Sequence, residues 1–194
     1  MPTFPHATLS FLADLEAHNN KPWFDANRSR YESDYVAVGK AFHEALSAEV
    51  KLPGKVMRIF RDVRFSKDKT PYKAHLDLWF AEAQGWGPGL FVRLRPTTFL
   101  VGMGCHEFDK AQLAKFRAGL VADAAGLKAA MAGLHVGGKT LKRFPAGFPQ
   151  DNLFLHTALH VQSEGPVPDD AVAHTVKEIR RFSPVYDWLK RHLA

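Results

Sequence analysis

Between Met57 and Cys105 the chain offers runs in which apolar and polar residues alternate, and the breaks between these runs are short. Met57–Phe65, His75–Glu82, Leu90–Arg95 and Thr98–Cys105 each place successive side chains on opposite faces, as a strand does. Parallel neighbours need a crossover of about a dozen residues or more, whereas hairpins close over a few. Ser66–Lys73, Gln84–Gly89 and Pro96-Thr97 are all shorter than that, so the sequence predicts an antiparallel meander of about four strands.

Helical spacing flanks this meander on both sides. Thr8 is placed to cap a helix carrying Leu9, Leu12 and Leu15 with Phe11 alongside, and Asn19-Asn20 ends it. Pro22 suits a first helical position, and Tyr31, Tyr35, Val38, Phe42 and Leu46 recur at three and four residues, predicting one long helix to about Val50 that Gly39 weakens locally. After the meander, Asp109 caps a helix with Leu113, Phe116, Leu120 and Val121, and a further segment holds Leu127, Met131 and Leu134 before Gly137-Gly138. Asp169 and Asp170 lead a helix with Val172, Val176, Ile179 and Phe182, and Ser183-Pro184 starts a last one with Val185, Trp188 and Leu189. The expectation is an α+β fold in a single domain over residues 1–194: a long N-terminal helix, a central antiparallel sheet and C-terminal helices packed on it. At 21.7 kDa with 46% hydrophobic residues the chain is large and apolar enough to bury a real core.

Charge is not spread evenly over this frame. From Lys51 to His75 eight basic residues stand against Asp62 and Asp68, and that local excess equals the formal net charge of +6 for the whole chain. The positive field therefore belongs to one stretch. Within it, Ile59, Arg61, Val63 and Phe65 share one face of the predicted strand, so Arg61 points with apolar residues. An inward guanidinium keeps its charge and requires partners, either a carboxylate such as Asp77 or Glu82 or a bound anion. Beyond Phe65 the segment Ser66–Lys73 has turn chemistry and reads as a basic loop.

These residues suggest an anion cradle. Arg58, Arg61 and Arg64 offer planar forks, Lys67, Lys69 and Lys73 offer movable point charges, Tyr72 offers a hydroxyl or a stacking ring, and Asp62 would orient an arginine or act as a base. On the preceding helix Asn20, Trp23, Asn27 and Tyr31 fall on one face with Arg28 beside them, so Asn27, Arg28 and Tyr31 join the candidate ligand-binding set. Arg93 and Arg95 share one strand face and would add to the site if that face is the one bearing Arg61.

Arg58-x-x-Arg61-Asp62-x-Arg64-Phe65-x-x-x-Lys69-x-x-Tyr72 resembles the signature of an uncharacterised bacterial family, domain of unknown function 2461. Asn19-Asn20-x-x-Trp23-Phe24-x-x-Asn27-Arg28-x-x-Tyr31 is similar to that family's N-terminal pattern, and Leu141–Phe148 is similar to a late motif. The resemblance runs through most of the chain and implies a site at the signature, but it assigns no activity and no catalytic residues.

Other chemistries lack their signatures. His156-Thr157-Ala158-Leu159-His160 has the spacing that sets two imidazoles on one helix face, without the glutamate of a zinc-protease helix, and His75-x-Asp77 could join such a pair only in space, so no metal is expected. Cys105-His106 are adjacent on a strand and point to opposite faces, which predicts a buried, inert thiol. Gly85-x-Gly87-x-Gly89 and Gly102-x-Gly104 do not open a helix, and neither a phosphate-loop Gly-Lys-Ser/Thr nor a Gly-x-Ser-x-Gly elbow occurs. No cofactor is named by the sequence. A lone cysteine points to a reducing cytoplasm, and the first residues lack the basic start and apolar run of a signal peptide, so no membrane association is expected.

The functional expectation is a pocket for a phosphate- or carboxylate-bearing small molecule, catalytic or not. The alternatives are nucleic-acid binding, with Phe65, Tyr72 or Trp86 stacking on bases, and a purely structural or subunit-contact network around Arg61-Asp62.

Overall fold

The computed structural model describes residues 4–82 and 87–193. In chain order the elements are α1 (His6–Ala17), α2 (Lys21–Ala26), α3 (Arg28–Arg30), a π-helical segment (Tyr31–Ala37), α4 (Val38–Val50), β1 (Gly54–Val56), β2 (Leu76–Ala81), β3 (Gly89–Leu94), β4 (Thr98–Cys105), α5 (Lys110–Ala130), β5 (His135–Gly137), a 3-10 turn (Asn152–Leu155), β6 (Leu159–Pro166) and α6 (Ala171–Leu193). The strands form one antiparallel sheet in the order β1-β2-β3-β4-β6-β5. Among the described residues no helix is long and apolar enough to cross a membrane.

The sheet corrects the expected four strands to six. The three later expected strands are present as β2, β3 and β4. The first is misplaced: β1 is only Gly54–Val56, and Met57–Phe65 is irregular chain with a single bridge at Phe60. The unexpected pair is β5 and β6, joined in register from His135↔Gln162 to Gly137↔His160. In β6 only Leu159 and Val161 are apolar on the inner face, too few for the period to stand out, and β5 is three residues long. The Gln84–Trp86 part of the expected loop and the Trp86 stacking role lie outside the described residues.

Two compact units are resolved. One comprises Met1–Phe80, Phe91–Leu100 and Glu164–Val176; the other comprises Ala81–Leu90, Val101–Ser163 and Lys177–Ala194.

In the first unit, α1 and α4 bury Phe11, Leu12, Leu15, Phe42 and Leu46, and one face of β2 contributes Leu76, Leu78 and Phe80. The expected single helix from Pro22 to Val50 is interrupted. Asn20 caps α2 by accepting the Trp23 N–H, Asn27 ends α2, and the restarted helix widens into the π segment before α4. Thr8, expected as a cap, is instead buried inside α1, where its hydroxyl donates to the Asp34 carbonyl of the π segment at 2.6 Å. A widened turn has carbonyls out of step with the α pattern, and Thr8 satisfies one from outside. Gly39 packs closely on β2: a Cβ there would lie 3.1 Å from Leu76 Cδ1, so a larger residue would require the Leu76 side chain to shift by a few tenths of an ångström.

In the second unit, Asp109 caps α5 with a full capping box through Gln112. The two helical segments expected here are present within α5, separated by a kink at the non-helical Asp123 (φ −151°, ψ 56°), whose side chain accepts the Gly126 N–H and the Trp188 indole N–H. The break expected at Ser183-Pro184 does not occur: α6 runs straight through Pro184. Proline cannot donate to the Arg180 carbonyl four residues earlier, and the Ser183 hydroxyl takes that acceptor at 2.9 Å. Gly104, at φ 142°, sits where β4 meets β6, and a Cβ there would collide with the Leu159 carbonyl.

Thr8→Val keeps shape and apolarity but leaves the Asp34 carbonyl without its donor, so a loss of about 1 kcal/mol is expected in urea unfolding. A variant as stable as the wild type would show that the π segment satisfies itself.

Candidate functional site

The basic stretch forms the far end of a hairpin that β1 and β2 begin. The ladder pairs Gly54 with Phe80 and Val56 with Leu78, and the Met57 N–H reaches the Asp77 carbonyl at 2.8 Å. Pairing resumes at Phe60↔Tyr72, flanked by Lys73 N–H to Ile59 carbonyl and Arg61 N–H to Pro71 carbonyl. Between these pairings the first strand contains Arg58 and Ile59, while the second contains Lys73, Ala74, His75 and Leu76. The second strand thus carries two extra residues, a bulge that breaks the ladder and re-aims the side chains around it. This is why Met57–Phe65 is not a regular strand. Its inward and outward sense survives, with Ile59 buried and Arg58, Phe60, Asp62 and Arg64 exposed, while Phe65 turns outward.

The tip of the hairpin is closed by its own charges. Arg61 donates to Asp68 at 2.5 Å and to both the carbonyl and the hydroxyl of Thr70, so its partner is neither Asp77 nor Glu82. Asp68 also accepts the Thr70 N–H, the largest of the contacts that hold its carboxyl down at about 2. Asp62 pairs in two-pronged fashion with Arg64, whose hydrogen bonds hold that carboxyl at about 2, so Asp62 orients an arginine as one of its two expected roles requires. Lys69 donates to the Val63 carbonyl at 2.9 Å. Lys67 and Arg58 are exposed and, among the described residues, have no salt bridge, although the field of Arg58 reaches Asp62.

The base of the tip is held by the N-terminal segment. Asn19 binds the Tyr72 backbone in both directions, its amide donating to the carbonyl at 2.9 Å and its oxygen accepting the N–H at 3.1 Å. The Tyr72 ring is 5% exposed and stacks on Phe24 with centroids 4.1 Å apart, which removes it as a platform for a ligand base. Phe24 also meets Tyr31 at 5.0 Å and carries the Arg28 guanidinium at 6.0 Å, so Phe24 brings Arg28 and Tyr31 toward the loop. Asn27 is engaged within its own helical segment: its amide donates to the Trp23 carbonyl and its oxygen accepts from Arg30.

The bulge builds a second cluster, around Asp77. This carboxylate, with a side chain 5% exposed, receives Arg93 through Nε at 2.7 Å and a terminal nitrogen at 3.1 Å, His75 Nε2 at 3.2 Å and Lys73 Nζ at 3.5 Å. Burial alone would raise its pKa; the hydrogen bonds and charges of His75 and Arg93 override that and hold it at about 2. Tyr35, from the π segment, donates to the His75 carbonyl at 3.3 Å and fixes the bulge from the helix side. Its hydroxyl stays protonated, because burial and then the field of Asp77 push its pKa up. Arg95 pairs with Glu164, whose carboxyl is lowered first by the Thr98 hydrogen bond, then by Arg95 and least by the more distant charge of Arg93.

The paired basic residues of this stretch therefore fall into two groups. Arg61, Arg64 and Lys69 close the tip together with Asp62 and Asp68, and Lys73 turns to the Asp77 cluster, where Arg93 joins it and Arg95 stands nearby, while Arg58 and Lys67 belong to neither group. His75, Asp77 and Tyr35 lie outside the expected ligand-binding set; in the sequence Asp77 stands as a possible partner for Arg61, and His75-x-Asp77 as a possible metal pair. His156 and His160 do not share a helix face: His156 follows the 3-10 turn and bonds the Ala158 carbonyl, and His160 lies in β6. Cys105 is buried at the end of β4, and burial pushes its thiol up to about 12.

Asp77 has a folded pKa below its ordinary 3.8, so its contribution is complete above that value and is lost as pH falls through about 2. Asp77→Asn is expected to cost about 2 kcal/mol at neutral pH by stranding Arg93, with the gap to wild type closing in urea melts taken from pH 4 down to 2. A gap independent of pH would mean that the carboxylate's charge is not what matters.

Comparison with curated proteins finds no match. The family described as conserved hypothetical protein (DUF2461) matches residues 7–188, which takes in the Asn19 clamp, the closed tip and the Asp77 cluster, and the chain belongs to that family.

Proposed function

We propose that this protein binds a small molecule bearing a phosphate or carboxylate group at the bulge, with Lys73, His75 and Arg93 as its charge partners and Arg95 at the margin. The observation that carries this reading is the imbalance around Asp77. Lys73, Arg93 and Arg95 are permanent cations facing two carboxylates, Asp77 and Glu164, and protonation of His75 would add a further charge. The Lys73, His75 and Arg93 side chains are 22, 23 and 25% exposed, sheltered enough to be poorly screened and open enough to be reached. Arg93 turns Nε and one terminal nitrogen to Asp77, and a guanidinium has donors for a second acceptor. Phe91, 5.0 Å from the Arg93 carbon, supplies an apolar wall for the rest of the molecule. Asp77 itself serves as the fixed counter-ion that holds the donors in place before a ligand arrives.

The test is thermal-shift titration of phosphate esters, nucleotides and small carboxylates at low and high salt, on wild type, Lys73→Met and His75→Gln. Saturable stabilisation of the wild type is expected, with affinity reduced about tenfold in each variant, a loss of roughly one charge-assisted hydrogen bond. No shift with any ligand, or equal shifts in all three proteins, would defeat the site.

A second reading applies to the tip of the hairpin, where the internal pairing of Arg61, Asp68 and Thr70 favours a folding element over a ligand cradle. Arg61→Gln is then expected to lower stability by about 1 kcal/mol while leaving ligand affinity unchanged. If that variant keeps its melting temperature and loses ligand, the tip rather than the bulge holds the anion.

A further inference from the structure

The closed tip carries rings that the fold leaves in water. Phe65 is 95% exposed and Phe60 is 49% exposed, although Phe60 rests against Tyr72 at 5.5 Å. A single exposed apolar side chain is ordinary. Here the backbone beneath is fixed: Ser66 N–H and Lys69 Nζ both bond the Val63 carbonyl, Thr70 N–H bonds Asp68, and Arg64, itself tied to Asp62, lies 5.9 Å from the Phe65 ring centre. The chain therefore holds Phe65 outward on a preformed loop, which lowers the ordering cost of docking. Around the rings, Arg58–Lys69 carries five cations and two carboxylates, and Arg58 and Lys67 have no salt bridge among the described residues.

We propose that this tip is a docking surface for single-stranded nucleic acid, with Phe65 as the stacking platform and Arg58, Lys67 and Lys69 as phosphate partners. A nucleotide couples one planar ring to one anion, and the tip presents both features next to each other. In a duplex the bases are already stacked, so a platform of this kind selects unpaired bases. An anionic lipid surface offers charge without rings and would press its headgroups against Asp62 and Asp68 as well as the cations. The patch is one loop wide, so it spans few nucleotides, and a small number of released counter-ions sets its salt dependence. None of these residues belongs to the Asp77 cluster, so this inference stands apart from the small-ligand site.

The test is fluorescence anisotropy with labelled oligo(dT) and oligo(U) of about 12 nucleotides, at low and high salt. Wild type is expected to bind saturably at low salt. Phe65→Ala should weaken binding about tenfold with an unchanged melting temperature, Phe65→Trp should restore it, and Lys67→Glu should weaken it while reducing the salt slope by about 1. The proposal is overturned if wild type shows no saturable binding at low salt, if Phe65→Ala binds as wild type does, or if phosphatidylserine vesicles, and not the oligonucleotides, are bound in a Phe65-dependent way.

Discussion

A carboxylate buried in a sheet stays ionised only if cations come to it, and Asp77 organises its surroundings on that condition. Arg93 comes from the neighbouring strand, and His75 and Lys73 come from the same strand. In a regular strand Lys73, His75 and Asp77 would line one face at roughly 7 Å spacing. Two extra residues fold that row back so that both side chains meet one carboxylate.

The hairpin beyond the bulge is stabilised locally and clamped remotely. Its tip has no hydrophobic core, since Phe65 faces water and Val63 is only half-buried. Order there comes from charge-assisted hydrogen bonds between near neighbours in sequence, each worth little on an exposed surface but arranged as a closed set. Asn19 and the Phe24–Tyr72 stack connect this set to the N-terminal helices, so α2 packs against the foot of the hairpin as well as against the core.

Period and composition made the central sheet readable: Leu76, Leu78 and Phe80 face the core as their alternation implies, and Asp109 caps α5. The sequence also located the positive charge and singled out Arg61 as a residue in need of a partner. It could not choose that partner, because Asp68 is near in sequence and reaches Arg61 only once the tip has closed, whereas Asp77 was equally plausible from a strand register that the bulge shifts. A bulge leaves no periodic trace, and neither does a π turn, so the placement of His75 and Tyr35 was not legible. Strands β5 and β6 escaped for a related reason: β6 approaches β4 closely at Gly104 and β5 closely at Gly137, and neither approach is announced by a run of apolar residues.

Cys105 has a consequence beyond packing. Thiol reagents act on the thiolate, and a buried group whose pKa stands at about 12 supplies almost none at neutral pH. The single sulfhydryl of this chain is therefore silent in the folded protein and gains normal reactivity only when the end of β4 opens, which makes the rate of its alkylation a clock for local unfolding of that strand.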